Sequence, residues 1–488
     1  MKMKQLLFII AFSAFSFASM SQEWQMTVGN SAKTLKYIGT EAVQSTGYIG
    51  EKDGIVFLLR RTDNNKSLPY LGSYDRNLNV VAETELPKDK ECDFYGGYVN
   101  ETSVDLIMAK KSKSDYKAYK LSYDPSTLKA LGEPQELLSV PIPQGTTIYP
   151  FIESSASSEW NSLILAIVRN DNVEWRISTF DPTLDELWNM DVSVGSVNDW
   201  MVTDSADVIS AGYVRDKKTN ETRLYFSVFD GEREHAFRVT HMMDEVNDMR
   251  IVRYDNGKIY CTGLLKGEAQ DKLAKWSSGF YSLVFDTRTG EVAHYEKVDF
   301  TKEMICDLCN VPSRTKMKIL SSDRISFASS KADVDGATVA YERIYNLYVN
   351  GDFSYSDYVG LLVYRIDNDG KVAWNRTVPR EVKASYNARD GVCTRLTPAG
   401  DSYTIFYIDD PDNVNPKPGT IAKEGGSNHN KMVLMALTFD KQGNITRQGL
   451  EVPSKSVCIG APHRLANGDY LQILSQPFHS VIAILKLK

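Results

Sequence analysis

Cysteine is scarce: six in 488 residues, of which Cys92, Cys261, Cys393 and Cys458 each stand alone in the chain. That excludes a disulfide-stapled scaffold, and single cysteines near apolar strands read as small hydrophobes. Beyond the N-terminus no run approaches the ~20 apolar residues that a transmembrane helix needs. Basic clusters stop at pairs such as Lys110-Lys111 and Lys217-Lys218, so the positive surface that releases counterions from nucleic acid is missing. Also absent are a nucleophile elbow, a phosphate loop and a dinucleotide fingerprint. The six histidines, His235, His241, His294, His429, His463 and His479, are dispersed without metal-ligand spacing. There is no Pro/Ser/Gly linker to divide the chain, although its length alone suggests two or three domains.

What is present begins with an address. "MKMKQLLFIIAFSAFSFASMSQEW" sets Lys2 and Lys4 before an apolar run and then small and polar residues, the layout of a secretory signal peptide over residues 1–21. The expectation is an exported protein, periplasmic or extracellular. No cysteine follows the apolar run, which argues against a lipid anchor. Removing Lys2 and Lys4 leaves 54 basic residues against 63 acidic, a net charge of −9 with both signs interspersed.

The body of the chain repeats one hairpin. "YLGSYDRNLNVV", "YKLSYDPSTLKAL", "WRISTFDPTLDELW", "LYFSVFDGEREHAF", "YSLVFDTRTGEVAHY", "LVYRIDNDGKVAW" and "LMALTFDKQGNITR" align on Asp75, Asp124, Asp181, Asp230, Asp286, Asp367 and Asp440. Each Asp closes an alternating strand and opens a turn, where its short side chain bonds the backbone two residues on. Upstream of each hairpin lies another apolar strand, from "GIVFLLRR" through "RISFASS" and "SYTIFYID" to "YLQILSQ". Strands and turns at a fixed period, with no helical pattern between them, mark radial repetition. The last residues, "VIAILKLK", lack a partner strand, and "EWQMTVGN" from Glu23 lacks a preceding one. Pairing the two ends closes the ring and removes its exposed edges. The fold class is therefore all-β: one β-propeller over residues 22–488, about eight four-stranded blades, with seven blades as the alternative.

Across nearly its whole length the chain resembles the β-propeller superfamily, and its "D-x-x-G…W" turns look like those of quinoprotein-type and kelch-type blades. It lacks their dense Gly-Trp and Gly-Gly signatures, so no specific enzyme family is matched. A leader ending "SMSQ" before a degenerate propeller is similar to exported Bacteroidota propeller proteins of unknown function.

Two segments interrupt the repeat, residues 331–359 and 410–430, in the sixth and seventh blades. Repeat geometry puts both on one face, together with the blade-joining segment that holds "CDLC". Long loops on a rigid scaffold are where function concentrates. The first segment carries Asn350-Gly351, a type I′ hairpin signal, and reads as a protruding β-arm bearing Tyr341, Tyr345, Tyr348, Phe353, Tyr355 and Tyr358. These aromatics either pack the arm against its own blade or offer contact area to a protein or glycan. In the second, Asp409, Asp410, Asp412 and Asn413 offer oxygens to a hard cation such as Ca²⁺, against the plainer reading of a solvated loop. No metal ligands are nominated and no cofactor is expected. Cys306 and Cys309 are a candidate disulfide in an oxidising compartment, since no second ligand pair exists for zinc.

The functional expectation is a non-catalytic binding or scaffold protein that presents this loop face to a protein or glycan partner, neither nucleic-acid-binding nor membrane-spanning. The alternative is a carbohydrate-active hydrolase or lyase whose carboxylates gather at the channel mouth from distant parts of the chain.

Overall fold

Each of the seven repeat aspartates accepts a backbone N–H from the residue two positions on, as from Asn77 to Asp75 and from Asp369 to Asp367, and six of them accept a second from three or four positions on. The carboxylate satisfies the donors that a tight turn strands, which is why Asp recurs there. In a computed structural model the described residues are 23–488 apart from 34–46, 62–68, 78, 88–91, 156–159, 170–171, 195–196, 217, 219–221, 243–245, 267–276, 313–323, 350–351, 386–393, 417–419, 427–431, 454–456 and 477–478. Residues 1–21, read above as a signal peptide, lie outside them.

The strands form eight antiparallel sheets in chain order: residues 48–85, 92–141, 146–192, 199–242, 250–299, 324–385, 396–451, and an eighth of 457–487 completed by 24–33. These are blades one to eight of a β-propeller. Trp24 pairs with Leu487 and Thr27 with Ile484, so the N-terminal strand Trp24–Lys33 is the outer strand of the last blade, as expected from the two unpartnered ends. The core is distributed in eight apolar layers, one between each neighbouring pair of blades. The layer of Val56, Leu58, Leu471 and Ile482 joins blade one to blade eight and completes the ring. Eight layers leave no room for the seven-blade alternative. Strands buried on both faces explain the near-continuous apolar runs, such as Gly279–Asp286, that alternate less than a half-exposed strand does.

The inner strands neighbour one another from blade to blade around the axis. Because strands alternate in direction, the joints between blades and the turns between second and third strands share one face, here the upper. The aspartate turns lie on the lower face.

Blade six departs from the expectation. "RISFASS" belongs to its inner strand, Arg324–Asp333, not its second, which is Gly336–Val349. Residues 331–359 are therefore no insertion between two strands. They hold a lower-face turn, the whole second strand and the start of the third, Asp352–Asp367; the outer strand is Val372–Ser385. The arm exists as an extension of these 14- to 16-residue strands beyond the edge of the ring.

Candidate functional site

The upper-face sector of blades five to seven is assembled around a short helix, Lys302–Leu308, that no sequence pattern announced strongly. Thr301 caps it by accepting the Met304 N–H, and Met304, Ile305 and Leu308 turn inward, an i, i+1, i+4 spacing that was the available signal. The helix lies on the third strand of blade six at Gly360. A Cβ there would sit 2.5 Å from Leu308 Cα and its carbonyl oxygen, and φ is +72°, so only glycine fits. Asp307 accepts the Thr377 hydroxyl at 2.7 Å, tying the helix to the outer strand.

"CDLC" is the end of this helix. Cys306 is half-buried on its last turn and Cys309, the C-cap, is buried. The expected disulfide between them is not formed: the pair is spent on terminating a helix, and Cys309 turns into the packed interior while Cys306 does not. Asn310 follows in the left-handed conformation, φ 49°, which Asn tolerates and which often ends helices. That backbone aims its buried side chain at two other segments. Its amide nitrogen donates to Glu381 Oε2 and to the Ala422 carbonyl, both at 3.0 Å, and its oxygen accepts the Ala422 N–H at 2.7 Å.

The described residues of the second insertion fold more tightly than a solvated loop. Asp410 caps a 3₁₀ turn, Pro411–Asn413, by accepting the Asp412 N–H. Buried Asn413 donates to Asp409 Oδ1 at 2.7 Å, and it both donates to the Lys423 carbonyl and accepts the Lys423 N–H at 2.8 Å. Asp412 pairs with the Lys423 ammonium. One oxygen each of Asp409, Asp410, Asp412 and Asn413, the residues considered for Ca²⁺, takes part in holding the loop, and no group of three or more His, Cys, Asp or Glu that could hold a metal ion is found among the described residues. Glu424–Gly426 then adds to blade six as a fifth strand, parallel to the outer strand at Glu381–Lys383. The two segments and the helix do meet on one face.

Of the six aromatic candidates, Tyr341 and Tyr358 are core residues and form no part of a partner surface. Tyr341 is 0% exposed, packs its edge on Phe327 and donates to Asp248 Oδ2 at 3.0 Å. Tyr358 sits in the layer shared with blade seven. Both fall within the ordinary length of a blade, where alternate residues face neighbouring sheets. Tyr345, Tyr348, Phe353 and Tyr355 lie on the extension, with Tyr345 opposite Asp357 and Tyr348 opposite Phe353; their side chains are outside the described residues.

Beneath the platform, between blades six and seven, lies a polar layer. Arg380 is 0% exposed; its Nη2 donates to Glu342 Oε2 at 2.6 Å and Thr394 Oγ1 at 2.9 Å, and its guanidinium lies 5.1 Å from the Tyr407 ring centre. Thr394 also bonds Glu342. Burial pushes the Asp409 carboxyl up to about 7, against the bonds from Asn413 and the Asp410 N–H and the nearby Arg380 charge.

A second cluster lines the channel on the inner strands of blades three to five. Arg250 lies 3.5 Å from Asp199 and 3.2 Å from Asp248. Asp199 also accepts the Ile251 N–H at 2.8 Å, so the carboxylate links blade four to blade five. Burial raises Asp199 to about 6, opposed by Arg250. Burial, then the Asp199 charge, raises Glu153 to about 7. On the basic side, burial and then Arg395 push His463 down to about 4 and lower Lys331.

No family model matches the sequence, and no curated protein matches it. Among solved structures it is similar to the polysaccharide lyase Uly1, at 9% identity with 93% of this chain and 92% of that one covered and a TM-score of 0.42. It is also similar to the Dos1 propeller, at 10% identity, 88% and 75% coverage and a TM-score of 0.31, and to prolyl oligopeptidase B from Galerina marginata, at 11%, 88% and 56% and 0.37. Likeness at that level says nothing of a shared activity. No helix among the described residues is long and apolar enough to cross a membrane.

Proposed function

We propose that the protein is an exported, non-catalytic binding or scaffold protein that presents the upper face of blade six to a protein or glycan partner. The observation that carries this reading is the convergence of three separated segments on one extended sheet: the helix end at Asn310, the strand around Glu381 and the stretch Ala422–Gly426. Buried asparagines bonded across the segments hold this surface as one unit on a rigid scaffold, the setting in which binding loops are commonly found. The arm tip, with Tyr345, Tyr348, Phe353 and Tyr355, supplies the aromatic contact area of the surface. Replacing 346–356 by an Asn-Gly turn keeps the packed part of blade six. The shortened chain is expected to retain its thermal midpoint and lose its partners in pull-downs and on glycan and peptide arrays. Retention of every partner refutes the reading.

One observation favours a second reading, a hydrolase or lyase acting on carbohydrate at the channel. Glu153 and Asp199 sit on neighbouring inner strands and interact electrostatically, with carboxyls raised to about 7 and about 6. A protonated acid beside a carboxylate that ionises first is the division of labour that general acid/base chemistry uses. Reducing-end release from a polysaccharide panel, abolished by Glu153→Gln, would support it; no release from any member would end it.

A further inference from the structure

The stretch Ala422–Gly426 is held as a bound peptide is held. Asn310 takes both the N–H and the carbonyl of Ala422, and Asn413 takes both the N–H and the carbonyl of Lys423. Each buried side-chain amide mimics one rung of a β-ladder, and the next three residues continue as a real ladder on Glu381–Lys383. Nothing in these contacts reads a side chain except by size: Ala422 is buried in the slot, whereas Ile421 before it is 51% exposed and the Lys423 side chain points to solvent. A segment recognised through its backbone, with one small residue required, is the pattern of strand addition to a sheet edge, in which main-chain bonds give affinity and an alternate pocket gives selectivity.

Two further features set this slot apart from a simple loop anchor. Asn310 is held in the left-handed region to present its amide, a conformation that persists in structures where the surroundings require it. Glu381, at the first residue of the added-strand register, bonds the same Asn310 amide and fixes which way its oxygen points. The slot is thus built from the helix end and the blade-six outer strand, which are distant in sequence from the segment that fills it, and from Asn413, ten positions before Lys423.

We propose that the edge of the blade-six outer strand, with Asn310 and Asn413, is a site for an extended peptide of a partner protein, and that the chain's own Ala422–Gly426 fills it as an internal, displaceable ligand. This rests on the reading of blade six as the partner face and narrows it to a peptide rather than a glycan. A partner strand with a small residue at the Ala422 position replaces the internal one, in parallel with Glu381–Lys383, and the released segment leaves with the loop that carries it.

The test uses the full chain in which Pro416–Asn430 is replaced by a flexible Gly-Ser linker, with a fluorescein-labelled peptide of sequence TIAKEGG, matching Thr420–Gly426, as probe. Saturable binding by anisotropy to this variant, absent or much weaker in the intact chain, is expected. Asn310→Ala, or N-methylation of the peptide at the Ala422 or Lys423 nitrogen, should weaken it at least about tenfold by removing paired hydrogen bonds. No binding to the folded variant, or binding indifferent to these changes, overturns the proposal. Should the linker variant fail to fold, hydrogen exchange on the intact chain decides. The Ala422 and Lys423 amides are expected to exchange faster than those of Gly336–Val349 and to accelerate in Asn310→Ala; exchange only with global unfolding overturns it. If the peptide fails while the arm-shortened chain still loses its partners, the partner face stands and the strand site falls.

Discussion

Removing the side chain of Trp24 should unlock the ring. Trp24 is 2% exposed on the closing strand and packs edge-on against Phe406 of blade seven at 4.9 Å and Tyr470 of blade eight at 5.5 Å. Its backbone N–H and carbonyl are both bonded by the Gln448 side chain at 2.7 Å, which an alanine retains. The perturbation therefore isolates ring packing. Truncating a buried Trp to Ala costs about 3–5 kcal/mol. The indole Nε1 is buried with no partner among the described residues, a burden of about 1–3 kcal/mol that the truncation relieves. The net loss for Trp24→Ala should therefore fall at the lower end, about 3 kcal/mol. Trp24→Phe keeps most of the ring contacts and deletes the orphaned N–H, so it should stay within about 1 kcal/mol of the parent. Guanidinium unfolding followed by far-ultraviolet circular dichroism measures both, and limited proteolysis should cut the N-terminal strand first in the alanine variant. A cost below about 1 kcal/mol for Trp24→Ala, or equal costs for Ala and Phe, would refute the claim that this indole locks the closure.

Gly360→Ala should cost at least about 3 kcal/mol in the same assay, since it adds positive-φ strain to a backbone collision with Leu308, and Gly360→Ser should be no better. Asp409 binds its proton more tightly folded than unfolded, with its carboxyl near 7 against an ordinary 3.8, so the stability it lends is full below pH 4 and disappears as pH rises to 7. Asp409→Asn should accordingly gain on the parent across that window, by on the order of a few kcal/mol, in thermal melts at pH 4, 5.5 and 7.5; a difference that does not change with pH would contradict the burial argument. Under non-reducing conditions, peptide mapping should find no Cys306–Cys309 bond, and a maleimide should label half-buried Cys306 in the native chain while Cys261, buried, reacts only after denaturation.

What sequence made legible was local or exactly periodic chemistry. The aspartate turns act through residues two to four positions away, and the unpaired termini follow from counting strands, so both the blade number and the seam could be read in advance. The error in blade six came from the same method. "RISFASS" is as apolar as the second strands it was aligned with, and only the sheet order reveals that it is an inner strand. Tyr341 and Tyr358 were displaced from core to surface by that one-strand slip. Asn310 and Ala422–Gly426 carried no visible signal, because Asn310 and Ala422 lie 112 positions apart and a Glu-Gly-Gly stretch reads as a loop, whereas Asn413 was read for its oxygen as a cation ligand and not for the amide that holds Lys423. Glu153 and Asp199 were hidden for the same reason among 63 acidic residues.

The polar layer under the platform bears on whether the sector is built for recognition or is a by-product of long strands. Between blades six and seven the apolar layer of Leu361, Val363, Ile405 and Leu437 is accompanied by Arg380 and Glu342, buried as a pair, with Arg380 Nε and Nη1 lacking partners among the described residues. Burying such a pair rarely gains stability over apolar residues of like volume, but breaking it strands a charge. Glu342→Gln alone should therefore destabilise by about 3–5 kcal/mol, whereas Arg380→Met with Glu342→Leu should be neutral or stabilising. If the pair exists to fix the geometry of the strands above it, the double variant, though as stable as the parent, should weaken partner capture and speed hydrogen exchange at Glu381–Lys383 and Ala422–Lys423. Stability and capture both unchanged would mean that the layer sets no geometry, and that the platform owes its shape to the Asn310 and Asn413 bonds alone.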